Sequence, residues 1–83
     1  MAVVSIRYWA SVRAAAGVER DVLEASSTAA VLDAVRELHP DPEFTRVLGL
    51  CAIMLDGRRI EPTDDRPLEG YVELEALPPF AGG

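Results

Sequence analysis

The segment SSTAAVLDAVRELHP at positions 26–40 constrains the fold more than any other part of the sequence, because it carries the clearest helical pattern. Its apolar residues recur at helical spacing and form one stripe. The stripe comprises Val31, Leu32, Val35 and Leu38. A hydroxyl of Ser27 or Thr28 caps the start, since it accepts a backbone N–H of the first turn, and Pro40 ends the helix. One amphipathic helix of this kind needs a sheet against which to bury its stripe.

Alternating apolar residues on both sides of the helix predict that sheet. Strands are expected in VVSIRYWA (3–10), RDVLEA (20–25), CAIML (51–55), RRI (58–60) and YVELEAL (71–77). The first two are expected to form a hairpin that turns at Gly17, where Ala14 to Ala16 could add a short helical turn. Asp56-Gly57 favours a type I′ turn between the next two strands. A second, short helix is expected in DPEFTRVLG (41–49), with Asp41 as its cap and Pro42 as its first residue.

This order of elements predicts an α+β fold of the β-grasp kind. In that arrangement a mixed sheet of four to five strands curls around one main helix, to which the short helix is added. The chain has 83 residues, the size of one small domain. Residues 1–77 are expected to form this domain, and residues 78–83 an extended tail.

The balance of charges limits the partners. The formal net charge is −6, with 14 acidic and 8 basic residues, which argues against nucleic acid because phosphate binding needs a basic surface. The same charge permits docking on a basic protein surface. No apolar run reaches the ~20 residues of a membrane-spanning helix, and the single cysteine, Cys51, has no internal disulfide partner. We therefore expect a cytoplasmic protein with no membrane or nucleic-acid partner.

Other polar residues are expected to be structural. Cys51 begins a strand and is typical of a small buried residue, although a dyad with His39, the only histidine, is a second interpretation. His39 lies at the end of the main helix, where it favours an interaction with the helix C-terminus. Asp64-Asp65 indicates a solvated turn, and without a cysteine or histidine cluster no metal site is expected.

The ending PPFAGG, at positions 78–83, is the clearest indication of function. Pro78 and Pro79 favour an extended backbone, which lowers the entropy lost when the segment enters a partner. Gly82 and Gly83 have no side chains, so their backbone fits a narrow channel. Six residues extend at most about 20 Å. A carboxylate presented in this way is expected to reach a partner's reactive centre and to be open to activation by ATP.

Several stretches together resemble the MoaD/ThiS family of ubiquitin-like sulfur carriers. These are VSIRYWASVRAAAG near the start, DG in the middle hairpin, LEG before the last strand and PPFAGG at the end. The ending is most similar to that of the small subunit of molybdopterin synthase, and the resemblance covers the whole sequence. It implies that an E1-like (MoeB-like) adenylating enzyme uses ATP to activate the carboxylate of Gly83. A sulfur donor protein then converts the carboxylate to a thiocarboxylate.

The resemblance also implies a destination for the sulfur. The tail would enter the active site of a MoaE-like large subunit and donate sulfur to a pterin precursor in molybdenum cofactor biosynthesis. Two carriers would be needed for each dithiolene, and two small and two large subunits would form a heterotetramer. The carrier itself would bind no cofactor and would not be catalytic alone, since acid and base groups would come from its partners.

Roles for individual residues follow from the same resemblance. Gly83, with Gly82 before it, carries the reactive group. Trp9 and Leu77 are outward in phase on the first and last strands, which lie side by side in a β-grasp sheet, and they match large apolar positions that meet the partner. Arg13 matches a basic position and is either a partner contact or a solvated arginine. The expected partner contacts are Trp9, Arg13, Leu77, Pro78, Pro79, Phe80 and Ala81.

Three alternatives remain open at this point. The chain is a carrier for another pathway, such as thiazole, cysteine or thiolated-tRNA synthesis, or it is a β-grasp interaction module with an inert tail, in which Trp9 covers the edge of its own domain. A modifier attached to other proteins is the third. All eight basic residues are arginine, so such a modifier has no lysine side chain on which to build chains of itself.

Overall fold

A computed structural model describes residues 1–61 and 63–79. The strands are β1 (Ala2–Tyr8), β2 (Arg20–Ala25), β3 (Ala52–Leu55), β4 (Arg58–Ile60) and β5 (Gly70–Leu77), and the helices are α1 (Ala10–Ala16), α2 (Thr28–Leu38) and α3 (Pro42–Leu48). The strands form one sheet in the order β2-β1-β5-β3-β4. The central pair, β1 and β5, is parallel, whereas all other neighbours are antiparallel. The predicted α+β fold, a mixed sheet around one main helix, is confirmed.

Helix α2 buries the predicted stripe with one exception. Val31, Leu32 and Val35 belong to the core, whereas Leu38 is 56% exposed. The end of α2 is closed instead by an aromatic contact, since Phe44 of α3 packs edge-on against Tyr8 with ring centroids 5.5 Å apart. The prediction for Leu38 was therefore wrong, since the last residue of α2 lies at the surface.

The start of α2 is fixed by two hydroxyls with different roles. Ser27 is the cap, and its Oγ accepts the N–H of Ala30 at 3.2 Å. Thr28 is buried, and its Oγ1 donates to the carbonyl of Asp64 at 3.1 Å and accepts the N–H of Arg66 at 2.9 Å. The turn around Asp64 is thus attached to the first turn of α2, which the prediction of a merely solvated turn did not include.

Helix α1 is longer than the sequence indicated. A turn at Gly17 was expected, with a possible helical turn at 14–16, but α1 covers Ala10–Ala16 and lies between the two strands of the predicted hairpin. It buries Val12, and Gly17 ends it with φ of 76°, donating its N–H to the carbonyl of Arg13. Helix α1 packs against α3, so a tertiary contact stabilises a segment that is too short to be helical alone.

The turn between β3 and β4 has the predicted geometry. Asp56 and Gly57 both have positive φ, 47° and 84°, as a type I′ turn requires. The side chain of Asp56 also accepts the N–H of Glu73 at 2.9 Å, and its own N–H donates to the carbonyl of Glu73 at 2.8 Å. These bonds attach the hairpin turn to β5.

Candidate functional site at the end of the central strands

The two central strands end side by side, at the point where the predicted tail begins. Tyr8 is the register partner of Ala76 in the parallel pair, and the backbone N–H of Trp9 donates to the carbonyl of Ala76 at 3.2 Å. Trp9 comes directly after β1 and Leu77 is the last residue of β5, and both are partly exposed. The topology therefore brings together two residues that lie 68 positions apart, as the sequence predicted.

The indole of Trp9 is held in one orientation by charged neighbours. Its Nε1–H donates to a carboxylate oxygen of Glu75 at 3.0 Å. The guanidinium carbon of Arg7 lies 4.3 Å from the centre of the Trp9 ring, and Arg7 also pairs with Glu19 at 3.2 Å. A cation over an indole face contributes about 0.5–1 kcal/mol at an exposed site. Trp9 therefore presents a fixed apolar surface at little further entropic cost on docking.

A groove of about 270 Å³ lies beside Leu77, at the root of the tail. Its lining consists of Leu50, Ala52, Arg59, Leu77, Pro78 and Pro79. Pro78 is buried and Pro79 is exposed, while Leu50 is 58% exposed. An exposed leucine beside an open apolar groove is typical of a surface that a partner covers. The groove carries one cation, Arg59, among its lining residues.

Arg13 lies on the same end of the molecule. It is exposed on α1, and its backbone N–H donates to the carbonyl of Trp9 at 3.3 Å. Within residues 1–61 and 63–79 its guanidinium forms no ion pair. Arg59 therefore lines the groove, and Arg13 is an exposed cation one helical turn from Trp9, in a chain that is acidic overall.

The reactive end that the sequence predicts lies outside the described residues. Phe80, Ala81, Gly82 and Gly83 all belong to this part, so their roles stay predictions. Strand β5 ends at Leu77, which is where the predicted domain ends and the predicted tail starts. The structure therefore places five of the predicted site residues at one end of the sheet: Trp9, Arg13, Leu77, Pro78 and Pro79.

Cys51 and His39 have separate partners rather than forming a dyad. Cys51 is buried, and its Sγ donates to the carbonyl of Val47 at 3.3 Å. Burial raises the pKa of the Cys51 thiol to about 11, so it is protonated and weakly nucleophilic near neutral pH. His39 lies between the end of α2 and the sheet, with Nε2 at 2.6 Å from Oδ2 of Asp21. The interpretation of Cys51 as a small buried residue is confirmed.

Asp21 accepts a second hydrogen bond at the same oxygen. The hydroxyl of Tyr8 donates to Oδ2 at 2.7 Å, and burial, followed by this bond, raises the pKa of the Tyr8 phenol well above its ordinary value. His39 was predicted to interact with the C-terminus of α2. Its backbone N–H does donate to the carbonyl of Val35, but its side chain is directed to Asp21.

Two further classes of site were sought in the described residues. Throughout 1–61 and 63–79, no three His, Cys, Asp or Glu side chains are grouped so that they could hold a metal ion. In the same ranges, no helix has the length and apolar character needed to cross a bilayer. The apolar end of the sheet is therefore the candidate site that the geometry offers, and its chemistry is that of a protein-binding surface.

The same architecture occurs in solved structures of similar length. Neither protein-family models nor curated protein sequences match this chain. The small archaeal modifier protein 1 from Methanosarcina acetivorans is 23% identical with a TM-score of 0.82, over 100% of this chain and 98% of that one. This is the ubiquitin-like β-grasp fold.

Two molybdopterin-converting factors have the same fold. A complex of subunits 1 and 2 of the factor from Helicobacter pylori 26695 matches with a TM-score of 0.73 and 23% identity, over 98% of this chain and 99% of that one. The putative subunit 1 from Pyrococcus furiosus matches with a TM-score of 0.78 and 18% identity, over 95% and 99%. Such low identities support the fold, and the chemistry has to be argued from the residues themselves.

Proposed function

We propose that this chain is a cytoplasmic sulfur carrier that works as the small subunit of a molybdopterin synthase. The observation that carries the proposal is that the central strand β5 ends next to Trp9, and that PPFAGG follows this strand directly in the sequence. A partner that covers the surface around Trp9 receives the tail at the same time. The two ubiquitin-like molybdopterin-converting factors of the same fold support this assignment.

The proposed chemistry begins at Gly83. Its carboxylate oxygen attacks the α-phosphorus of ATP in an adenylating partner, and pyrophosphate leaves. A sulfur atom at the oxidation level of sulfide, supplied by a donor protein, then displaces AMP to give the thiocarboxylate. The sulfur is a soft nucleophile that is held on the chain, so it is delivered in a fixed place and orientation.

The chain's own contribution is to bind and to position. The side chains of Cys51 and His39 both have structural partners. The Cys51 thiol donates to the carbonyl of Val47, and the His39 ring hydrogen-bonds to Asp21. Proton transfer is therefore assigned to the partners. The fixed indole of Trp9, the groove at Pro78 and Pro79 and the cation of Arg13 are the proposed docking elements.

The proposed destination of the sulfur is a pterin precursor in the active site of a large subunit. The Helicobacter pylori structure is a complex of subunits 1 and 2, and this supports a large-subunit partner for the present chain. From Pro79, the four residues 80–83 extend at most about 14 Å. The large subunit therefore has to bring its reactive centre within that distance of Pro79.

A second candidate function is supported by the likeness to the small archaeal modifier protein 1. In that case the adenylated carboxylate of Gly83 forms an amide with an amine of another protein. The first step is shared, and only the nucleophile that displaces AMP differs. A thiocarboxylate at Gly83 supports the carrier, whereas an isopeptide bond from Gly83 to a lysine supports the modifier.

The deciding experiment is the mass of the C-terminal tryptic peptide after co-expression with an adenylating enzyme and a sulfur source. Trypsin should cleave after Arg59 and largely spare Arg66-Pro67, which gives residues 60–83. This peptide contains no methionine or cysteine, so exchange of one oxygen for sulfur is not confused with their oxidation. We expect fragment ions to place the sulfur on Gly83, and deletion of Gly83 to abolish the signal.

A plain carboxylate would contradict the proposal if several adenylating enzymes, each shown to be active on its own carrier, leave Gly83 unchanged. The chain would then be an interaction module with an inert tail. If sulfur is found on Gly83, binding to the large subunits or synthases of the different pathways identifies the pathway. Preferential binding to a molybdopterin synthase large subunit is the expected result.

A further inference from the structure

Strand β2 is an edge of the sheet and has a free side. It pairs only with β1 among the described strands, in the register that places Arg20 opposite Arg7 and Val22 opposite Ser5. In an antiparallel pair, the backbone N–H and C=O groups of successive residues point alternately toward the neighbouring strand and away from it. The N–H of Tyr8 donates to the carbonyl of Glu19. By the same alternation, the backbone groups of Asp21 and Leu23 also point toward β1.

The backbone groups of the intervening residues therefore point to the open edge. These residues are Arg20, Val22 and Glu24, and each presents one N–H and one C=O. All three side chains are exposed, and Val22 is 62% exposed. Such an edge is a template for another strand, and natural proteins usually block it with charge or proline.

The charges on this edge have opposite sign. Arg20 and Glu24 lie two positions on either side of Val22, and neither forms an ion pair within the part of the chain that the structure describes. A single-sign edge would repel a copy of itself, whereas this edge is complementary to its own antiparallel image.

We propose that β2 pairs antiparallel with β2 of a second copy, in a register centred on Val22. Arg20 of one copy lies opposite Glu24 of the other on both sides of the centre, and the two Val22 side chains are adjacent. All six outward backbone groups of each strand are paired with the partner strand. The twofold axis is perpendicular to the sheet, so the two five-stranded sheets join into one with both helical layers on the same side.

Neighbouring registers are less favourable. A shift by one residue would direct the outward groups of Val22 toward Leu23, whose own N–H and C=O are engaged with β1. A shift by two residues keeps outward-facing residues opposite each other but places a charged residue opposite Val22, so that both Arg20–Glu24 ion pairs are lost. Only the register centred on Val22 satisfies the backbone and both charges together.

The proposed β2–β2 pairing does not cover the end of the sheet where the predicted tail begins. Strand β1 separates β2 from β5, so the surface around Trp9 and Leu77 is not covered. The inference is therefore independent of the proposed carrier function, and deletion of Gly83 is expected to leave it unchanged. The pairing of two short edges covers less area than a standard interface, so the dissociation constant is expected to be on the order of 10⁻⁴ M.

Sedimentation velocity tests the proposal with the full chain from about 10 µM to about 1 mM, the range in which so small an interface dissociates. The wild type is expected to shift from monomer to dimer. Glu24→Arg and Arg20→Glu each create like-charge pairs and should raise the dissociation constant roughly tenfold or more. The double variant Arg20→Glu/Glu24→Arg restores opposite charges and should restore the dimer.

Glu73→Arg is the matched control, because it makes the same charge change at an exposed residue on the outer face of β5. It should leave the dimer intact. Hydrogen exchange gives a second readout: the amides of Val22 and Glu24 should gain protection as concentration rises, while that of Leu23 is protected throughout.

A wild type that stays monomeric up to the highest concentration overturns the proposal. So does a dimer that persists in Glu24→Arg, or one that the double variant fails to restore. Loss of the dimer in Tyr71→Thr but not in Glu24→Arg would also overturn it, since Tyr71 is 62% exposed on the open face of the sheet and not at its edge.

Discussion

Tyr8 and Trp9 are consecutive aromatic residues at the end of β1, and their environments are opposite. The Tyr8 side chain is fully buried under the helices, with its hydroxyl on Asp21. Trp9 is partly exposed at the outer side, with its indole N–H on Glu75. Each side chain donates a hydrogen bond to one carboxylate. The same kind of bond therefore stabilises the interior at Tyr8 and the proposed docking surface at Trp9. The side of the sheet to which each side chain points decides whether it is buried or exposed.

The largest contrast is expected in stability. Tyr8→Ala removes a buried ring that packs on Phe44 and His39, and should lower the free energy of unfolding by about 3–5 kcal/mol. Trp9→Ala should cost less, about 1–2 kcal/mol, since its ring is only partly buried. Urea denaturation measures both, and equal losses would show that Trp9 belongs to the core.

In partner binding, we expect the partly exposed Trp9 to matter more than the buried Tyr8. If the surface around Trp9 receives the large subunit, Trp9→Ala weakens the association by about 2 kcal/mol or more. Calorimetric titration with that subunit measures the change. Tyr71→Ala is the matched control, because Tyr71 is an exposed aromatic on the same face at the far end of β5. A larger loss for Tyr71→Ala would assign docking to the other end.

Alkaline pH should destabilise the interior in a defined window. The pKa of the Cys51 thiol rises from its ordinary value of 9.0 to about 11 on burial. Since the unfolded chain ionises first, this contribution to stability is complete below pH 9 and is lost as pH approaches 11, by about 1–2 kcal/mol. Tyr8, whose phenol pKa is also raised, adds to the loss above pH 10.

Denaturation of Cys51→Ala at pH 8 and at pH 10 separates the two groups. The variant should lose less stability between these values than the wild type does. An unchanged pH dependence would contradict the role of the thiol. Tyr8→Phe serves as the second comparison, because it removes the phenol and keeps the thiol.

The smallest effects concern the two carboxylate contacts. Tyr8→Phe should lower the free energy of unfolding by about 1 kcal/mol, because a hydrogen bond to a charged group is lost in the interior. Glu75→Gln should change it by only a few tenths of a kcal/mol, since Trp9 is partly hydrated and an amide oxygen still accepts its N–H. Thermal unfolding resolves the two, and a larger effect for Glu75→Gln would show that the outer contact is structural.

Local patterns predicted the elements whose causes are local. The stripe of α2, its cap at Ser27 and the turn at Asp56-Gly57 all depend on residues a few positions apart. Helix α1 was underestimated because seven residues do not form a helix by propensity, and its stability comes from burial of Val12 and packing on α3. Leu38 was misplaced because the periodicity of a helix does not show where the core ends, and the last residue of α2 lies at the surface.

The candidate site was predicted in part for the same reason. The adjacency of Trp9 and Leu77 followed from the β-grasp order, and both lie where that order requires. Glu75, Arg7, Leu50 and Arg59 were missed as members of the site, although each is visible as an outward or loop residue. Their roles depend on which strands become neighbours and on the orientation of each side chain.

The sequence by itself determined the helical and strand periods, the turn residues and the PPFAGG segment, because each of these is set by residues in direct succession. Tertiary structure alone decided that Asp21 joins Tyr8 to His39, that Glu75 orients Trp9, and that β2 is left with a self-complementary open edge. These outcomes depend on pairing between β1 and β5, which are separated by most of the chain. Such contacts form only when the whole core is packed, so no local pattern specifies them.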